Sequence, residues 1–244
     1  MPRFLFRCAW LVGLILVCVP LHLLWRLFRL RSPWPRRFLG WCARAAGMRA
    51  TIIGERAPGT VLFAANHQSW MDILLIGGAT GASFVAKESV RKWPIAGWLA
   101  TMVGTIYIAN SDRKAAGAQA DRIRQALESG TSVAFFPEGK LDNATLLPFR
   151  PALFGAAIPP VDHVMVQPIA IDYGEDSQDL IWPSGTHAGS NAKTIFARPG
   201  LDDVTIYLLD PIPIDEHSHR RDVSAACEDA IAQALGASVN REAA

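Results

Sequence analysis

The sequence lacks the groups that mark several common enzyme classes. Only four cysteines occur among 244 residues, Cys8, Cys18, Cys42 and Cys227; none are paired at zinc-ligand spacing and two lie within an apolar run. A disulfide framework is therefore not expected, and reduced, buried thiols on the cytoplasmic side of a membrane are. There is no G-x-S-x-G elbow, and no cysteine near the polar motifs, so the chain offers no marked nucleophile of its own. His217 and His219 stand beside Asp215 and Glu216, but no third cluster completes a coordination sphere and no metal is expected. Internal repeats and low-complexity segments are absent. Acidic residues are missing before Glu55, whereas arginine recurs from Arg3 to Arg37. A basic stretch without a nucleic-acid module suits anionic lipid headgroups, and no nucleic-acid partner is expected.

Half of the chain is hydrophobic and 19% is charged, with much of the apolar excess in the first thirty residues. From Cys8 to Trp25 no residue carries a formal charge. The run is long enough to span a bilayer as one helix; because Pro20 would kink it, a pair of shorter helices dipping into one leaflet is the alternative. No small-x-small cleavage site follows, so a retained anchor is expected, with the arginine-rich side and the body in the cytoplasm. Arg31–Arg37, containing Pro33 and Pro35, reads as a linker. It divides the chain into an anchor with its basic linker, 1–37, and a catalytic domain, 38–244.

After the linker, short apolar segments alternate with helical patterns. Strands are expected at Thr51–Gly54, Val61–Ala65, Ser83–Ala86, Thr105–Ile108, Ser132–Phe136, His163–Ile171 and Val204–Leu209. Helices are expected through Ile73–Ile76, at Ile95–Met102 and Lys114–Ser129, and from Asp222 onward, with a frayed end at 238–244. The alternation predicts an α/β domain with a mixed, largely buried sheet flanked by helices.

Two segments that follow strands carry chemistry. Asn66-His67-Gln68-Ser69-Trp70-Met71-Asp72 places a histidine and an aspartate five residues apart. On one continuous helix they would diverge by about 140°. They meet if His67 lies in the strand-to-helix turn and Asp72 on the first helical turn, with Asn66 or Ser69 as cap. Asp72 then fixes the imidazole tautomer and leaves the other ring nitrogen to take a proton. A capped turn with a structural histidine has the same pattern. Phe136-Pro137-Glu138-Gly139-Lys140 sets opposite charges around a glycine at another strand end, where α/β sheets place ligands; a solvated turn would look alike. Lys87 also follows a strand and can meet an anion or simply face solvent. Pro168, inside an apolar strand, marks an edge or a bulge.

The order N-H-x-x-x-x-D, G-x-I-[FY]-I, F-P-E-G, V-x-P-[IV]-x-I, running from Asn66 to Ile171, resembles the glycerolipid acyltransferase family, especially bacterial 1-acylglycerol-3-phosphate acyltransferases. The resemblance implies transfer of a fatty acyl group from acyl-CoA or acyl carrier protein, with no further cofactor, to a lysolipid hydroxyl at the inner membrane. It implies His67 as general base, Asp72 as its partner, Gly104 in the second block, and Glu138 and Gly139 in the acceptor site. Backbone N–H groups near the helix start after His67 are expected to hold the oxyanion.

Two departures stand out. The usual arginine after the second block is replaced by Ile108-Ala109-Asn110, so that contact falls to Arg113 or is missing. Lys140 takes the place of a hydroxyl residue, and the arginine that often follows is absent. Lys140 binds a phosphate as a point charge, but the arginine-poor site keeps lyso-ornithine lipid open as the acceptor beside lysophosphatidate. A catalytically inactive lipid-binding protein and a thioesterase are the readings from other classes.

Overall fold

The computed structural model describes residues 2–108, 116–139, 146–174, 180–182 and 188–239. The apolar segments pair into one sheet: β1 (Met48–Gly54), β2 (Thr60–Ala65), β3 (Ser83–Lys87), β4 (Ile106–Ile108), β5 (Val133–Phe135), β6 (Val164–Asp172) and β7 (Asp202–Leu208). Their order across the sheet is β1-β7-β6-β2-β5-β3-β4. All neighbours run parallel except β6 and β7, so the sheet is mixed.

Both faces are covered, which is why β2 reads as a continuous apolar run. Along it Phe63 enters a core shared with α2 (Trp34–Ala46), α3 (Met71–Thr80) and α7 (Ala188–Ala197). Leu62 enters the opposite core, with α6 (Ala116–Glu128), a 3-10 helix (Pro151–Ala157) and α8 (Arg220–Leu235). Ile123 and Leu127, the apolar stripe of α6, are fully buried there. Two short helices, α4 (Glu88–Arg91) and α5 (Ala96–Met102), connect β3 to β4. On the other face, α2 and α3 cross at Gly40 and Gly78, where a Cβ on Gly78 would stand 2.6 Å from the Gly40 Cα. That close crossing holds the C-terminal half of α3 against α2.

Two sequence expectations are revised. The proline-bearing segment 31–37 is not wholly a linker, because α2 begins within it at Trp34 with Pro35 in its first turn, where the missing N–H costs nothing. Pro168 lies on β6, which pairs with β2 on one side and β7 on the other and is therefore no edge strand. It is tolerated because β7 pairs only with Ile169–Asp172 and leaves the ladder at Pro168, whose carbonyl accepts the Leu209 N–H at 3.1 Å.

The apolar N-terminal run forms a single helix, α1 (Pro2–Leu27), that continues through Pro20. It does not stand away from the body. The buried Arg7 guanidinium donates to the carbonyls of Ile195 at 2.8 Å and Gly200 at 2.9 Å, closing the last turn of α7. Phe4 packs on Phe196, and Trp25 on Trp34. The outer face of α1 exposes Leu5, Phe6, Trp10, Leu16, Val17 and Leu27.

Candidate active site

The polar motifs collect at the carboxyl ends of three adjacent strands, β2, β5 and β6. Asn66 does not cap α3 as anticipated. Its amide donates to the Ile171 carbonyl at 2.9 Å and accepts the Ile171 N–H at 2.8 Å, adding a side-chain rung that ties the end of β2 to β6.

His67 follows in the turn and Asp72 sits on the first turn of α3, so the two side chains meet. His67 Nδ1 lies 2.8 Å from Asp72 Oδ2. A carboxylate only accepts, so Nδ1 carries the hydrogen and Nε2 keeps its lone pair. The His67 imidazole stacks on Phe136, with ring centroids 3.8 Å apart, which fixes the ring plane. His67 is partly exposed; Asp72 is fully buried. The Asp72 carboxylate is held by four donors. Besides the imidazole, Oδ2 accepts the N–H groups of Gln68 at 2.8 Å and Ser69 at 2.9 Å, and Oδ1 accepts the Tyr173 hydroxyl. Burial and the adjacent Asp72 charge push the Tyr173 phenol well above its ordinary range, so it stays protonated and donates.

Glu138 comes from the turn after β5. Its Oε1 accepts the backbone N–H of His67 at 2.7 Å and its Oε2 that of Leu147 at 3.0 Å. It is therefore buried between the base and the following loop. These bonds narrow one expectation. The N–H groups of residues 67, 68 and 69 are taken by Glu138 and Asp72, while those of Met71 and Asp72 bond Ser69, so these five are already engaged and are not the ones to hold an oxyanion.

An arginine does stand by the F-P-E-G turn, supplied from position 150. The Arg150 N–H donates to the Pro137 carbonyl at 3.0 Å, and its guanidinium covers Gly139 so closely that a Cβ there would lie 2.9 Å from Nη1. Gly139 has φ 72°, a left-handed turn that glycine adopts without strain. Arg150 is exposed and pairs with no acid among the described residues.

Two cavities flank the motif. One, of about 470 Å³, has almost wholly apolar walls to which α1, α2, α3, α5 and β3 contribute, with Val19, Phe38, Ile73, Leu99 and Phe84 among them. The rings of His67, Phe136 and Phe84 form a stacked row leading from the base to that wall. The other, of about 190 Å³, is polar and lined by Asn66, Gln68, Glu138 and Asp172. Lys87 is exposed at the end of β3, next to Ala86 on the apolar wall. Gly104 makes a left-handed turn between Val103 and Thr105, which also line that wall. The structure thus gathers Glu138 and Gly139 around His67 and leaves Lys87 and Gly104 beside the apolar cavity. Arg113 and Lys140 lie outside the described residues. Tyr173 and Arg150 escaped sequence reasoning.

Comparison with known proteins points to one family. The family model described as Acyltransferase matches residues 49–172. The chain is 34% identical over 210 residues to the lyso-ornithine lipid O-acyltransferase of Rhodobacter capsulatus, covering 80% of this chain and 73% of that one. A 1-acyl-sn-glycerol-3-phosphate acyltransferase of Neisseria gonorrhoeae is 37% identical over 102 residues, 41% of this chain and 40% of its own. The crystal structure of the 1-acyl-sn-glycerophosphate acyltransferase PlsC from Thermotoga maritima superposes with a TM-score of 0.72, covering 96% of this chain and 93% of that one at 20% identity.

Proposed function

The chain belongs to the acyltransferase family, and we propose that it moves a fatty acyl group from a thioester donor, acyl-CoA or acyl carrier protein, to the free hydroxyl of lyso-ornithine lipid at a membrane surface. The observation that carries the chemistry is the position of His67. Its Nδ1 is bound to a buried carboxylate, and the motif that carries it lends Trp70 to an apolar cavity suited to a hydrocarbon chain and Asn66 and Gln68 to a polar one suited to a headgroup.

In the step, Nε2 takes the proton of the acceptor hydroxyl as its oxygen attacks the thioester carbonyl carbon. Asp72 stabilises the imidazolium. The tetrahedral oxyanion collapses, the carbon–sulfur bond breaks, and the departing thiolate takes the proton from Nε2. The products are an ester and a free thiol, with no covalent enzyme intermediate and no cofactor beyond the donor.

One feature of the site favours the ornithine headgroup, which bears both a carboxylate and an ammonium at neutral pH. Arg150 offers a guanidinium to a carboxylate or a phosphate alike. Glu138 and Asp172 on the polar cavity suit the ammonium and disfavour a phosphate. The relative aligned over most of its length also carries the lyso-ornithine name. Lysophosphatidate is the second reading, favoured by the 37% identity shared with the Neisseria enzyme over 102 residues. An acceptor panel with labelled acyl-CoA separates them. Faster acylation of lyso-ornithine lipid supports the first, and faster phosphatidic acid formation supports the second.

Membrane attachment follows from α1. With Arg7 fixed to α7, and Cys18 and Val19 on the wall of the apolar cavity, the helix lies along the body. Its exposed apolar face then enters one leaflet from the cytoplasmic side, where acceptor and product reside.

A further inference from the structure

We propose that Tyr173 is a positioning residue of this acyl transfer, acting through Asp72 to set the basicity of His67. The inference rests on the reading of His67 as the base and adds a residue to it from a different strand.

The case begins with Asp72. Its carboxylate is fully buried, and no cation among the described residues pairs with it apart from the imidazolium that forms during the reaction. A buried carboxylate needs each oxygen satisfied. Three N–H groups converge on Oδ2, whereas Oδ1 is served by the Tyr173 hydroxyl. Tyr173 is itself buried and is placed by covalent logic rather than by chance contact. It follows β6 by one residue, and Ile169, Ile171 and Tyr173 all join the core that α3 covers. The Asn66 amide clamps Ile171 to the end of β2, one residue before His67. One side chain therefore fixes both the base and the strand end that carries the hydroxyl.

The consequence is electrostatic. A hydroxyl donating to Oδ1 withdraws charge from the carboxylate and weakens its hold on the imidazolium. Among the described residues, the groups facing this pair are few. The Glu138 carboxylate bonds the His67 backbone, the Ser69 hydroxyl faces Tyr173, and the apolar Phe136 ring covers the imidazole. None of these supplies a second donor to Oδ1. Without the tyrosine hydroxyl, Asp72 binds the protonated His67 more strongly, and the base is released only at higher pH.

Tyr173→Phe removes one oxygen and keeps the ring, so the core is left filled. In the full chain, with acyl-CoA and its lysolipid acceptor, the acid limb of the kcat/KM profile is expected to move up by about one pH unit. KM for the donor should stay unchanged. Ring-proton NMR of His67, assigned with His67→Gln, should show the same displacement without any need for turnover. Replacing Tyr173 by a fluorinated tyrosine, a stronger donor of the same shape, should move both readouts to lower pH and covers the case in which the Phe variant is too unstable to assay. Unmoved profiles and NMR midpoints in these variants, or a uniform loss of rate at every pH, would overturn the role of Tyr173. A wild-type chain that acylates no lysolipid while the NMR midpoints move as stated would instead overturn the reading of the reaction.

Discussion

At the residue scale the site is a matter of which groups are already spoken for. Asp72 is saturated by Gln68, Ser69, Tyr173 and His67, so replacing it removes the reference that holds the imidazole tautomer. Asp72→Asn is expected to lower kcat by about 10²–10⁴-fold with little change in KM, measured with saturating donor. Arg150→Ala should raise KM for the carboxylate-bearing acceptor by about tenfold, the equivalent of ~1.4 kcal/mol, and leave kcat in place. The pairing of His67 with Asp72 was legible because four motifs occur in a recognisable order. Arg150 was not, since ten residues lie between it and Gly139 and bonds such as that from its N–H to Pro137 fold it back. Tyr173 did leave a signal: it continues the alternation of Ile169 and Ile171 and so shares their face. The engagement of the backbone donors was illegible for a plainer reason, because spacing does not reveal that Asp72 and Glu138 occupy those of residues 67–69 first.

At the element scale, hydrophobic period did most of the work. The seven strands and the helices that were expected fall close to their places, because each buries an unbroken apolar run or a stripe such as Ile123 and Leu127, whereas α2, α4, α7 and the 3-10 helix were not anticipated. Leu127→Ala should cost about 2–5 kcal/mol in chemical denaturation, since the side chain is fully buried between α6 and the sheet. Proline was the misleading residue. Pro33 and Pro35 looked like a linker, yet Pro35 sits in the first turn of α2, and Pro20 leaves α1 continuous. The length of α1, about 39 Å at 1.5 Å per residue, would suffice to cross a bilayer. Its contacts with the body from Phe4 to Trp25 argue for a helix lying in one leaflet. Impermeant labelling should then find the N-terminus and the C-terminus on the same side; opposite sides would show that α1 spans.

For the whole molecule, buried protonated groups govern behaviour in alkali. Burial pushes the thiols of Cys42 and Cys227 up to about 12, and Tyr173 stays neutral well above its usual range. Each has a higher affinity for its proton in the folded state than in the unfolded one. Their contribution is fully present below the unfolded values, near 9 for the thiols, and is lost as pH rises through the folded values. Stability should therefore fall between pH 9 and 12, by on the order of 1 kcal/mol per pH unit for each thiol, and the thermal unfolding midpoint with it. Cys227→Ala should flatten part of that slope. The same burial keeps these thiols unreactive toward alkylation until the protein unfolds.

The central claim is that His67 activates a lysolipid hydroxyl for acyl transfer. Its most direct test is ester formation from labelled acyl-CoA by the membrane-bound full chain, with and without lyso-ornithine lipid, in the wild type and in His67→Ala. Ester should appear only when a lysolipid is present and should fall by about 10²–10⁴-fold in the variant, with folding and membrane attachment retained. Full activity in His67→Ala, or acyl-CoA cleavage at the same rate without any acceptor, would contradict the account.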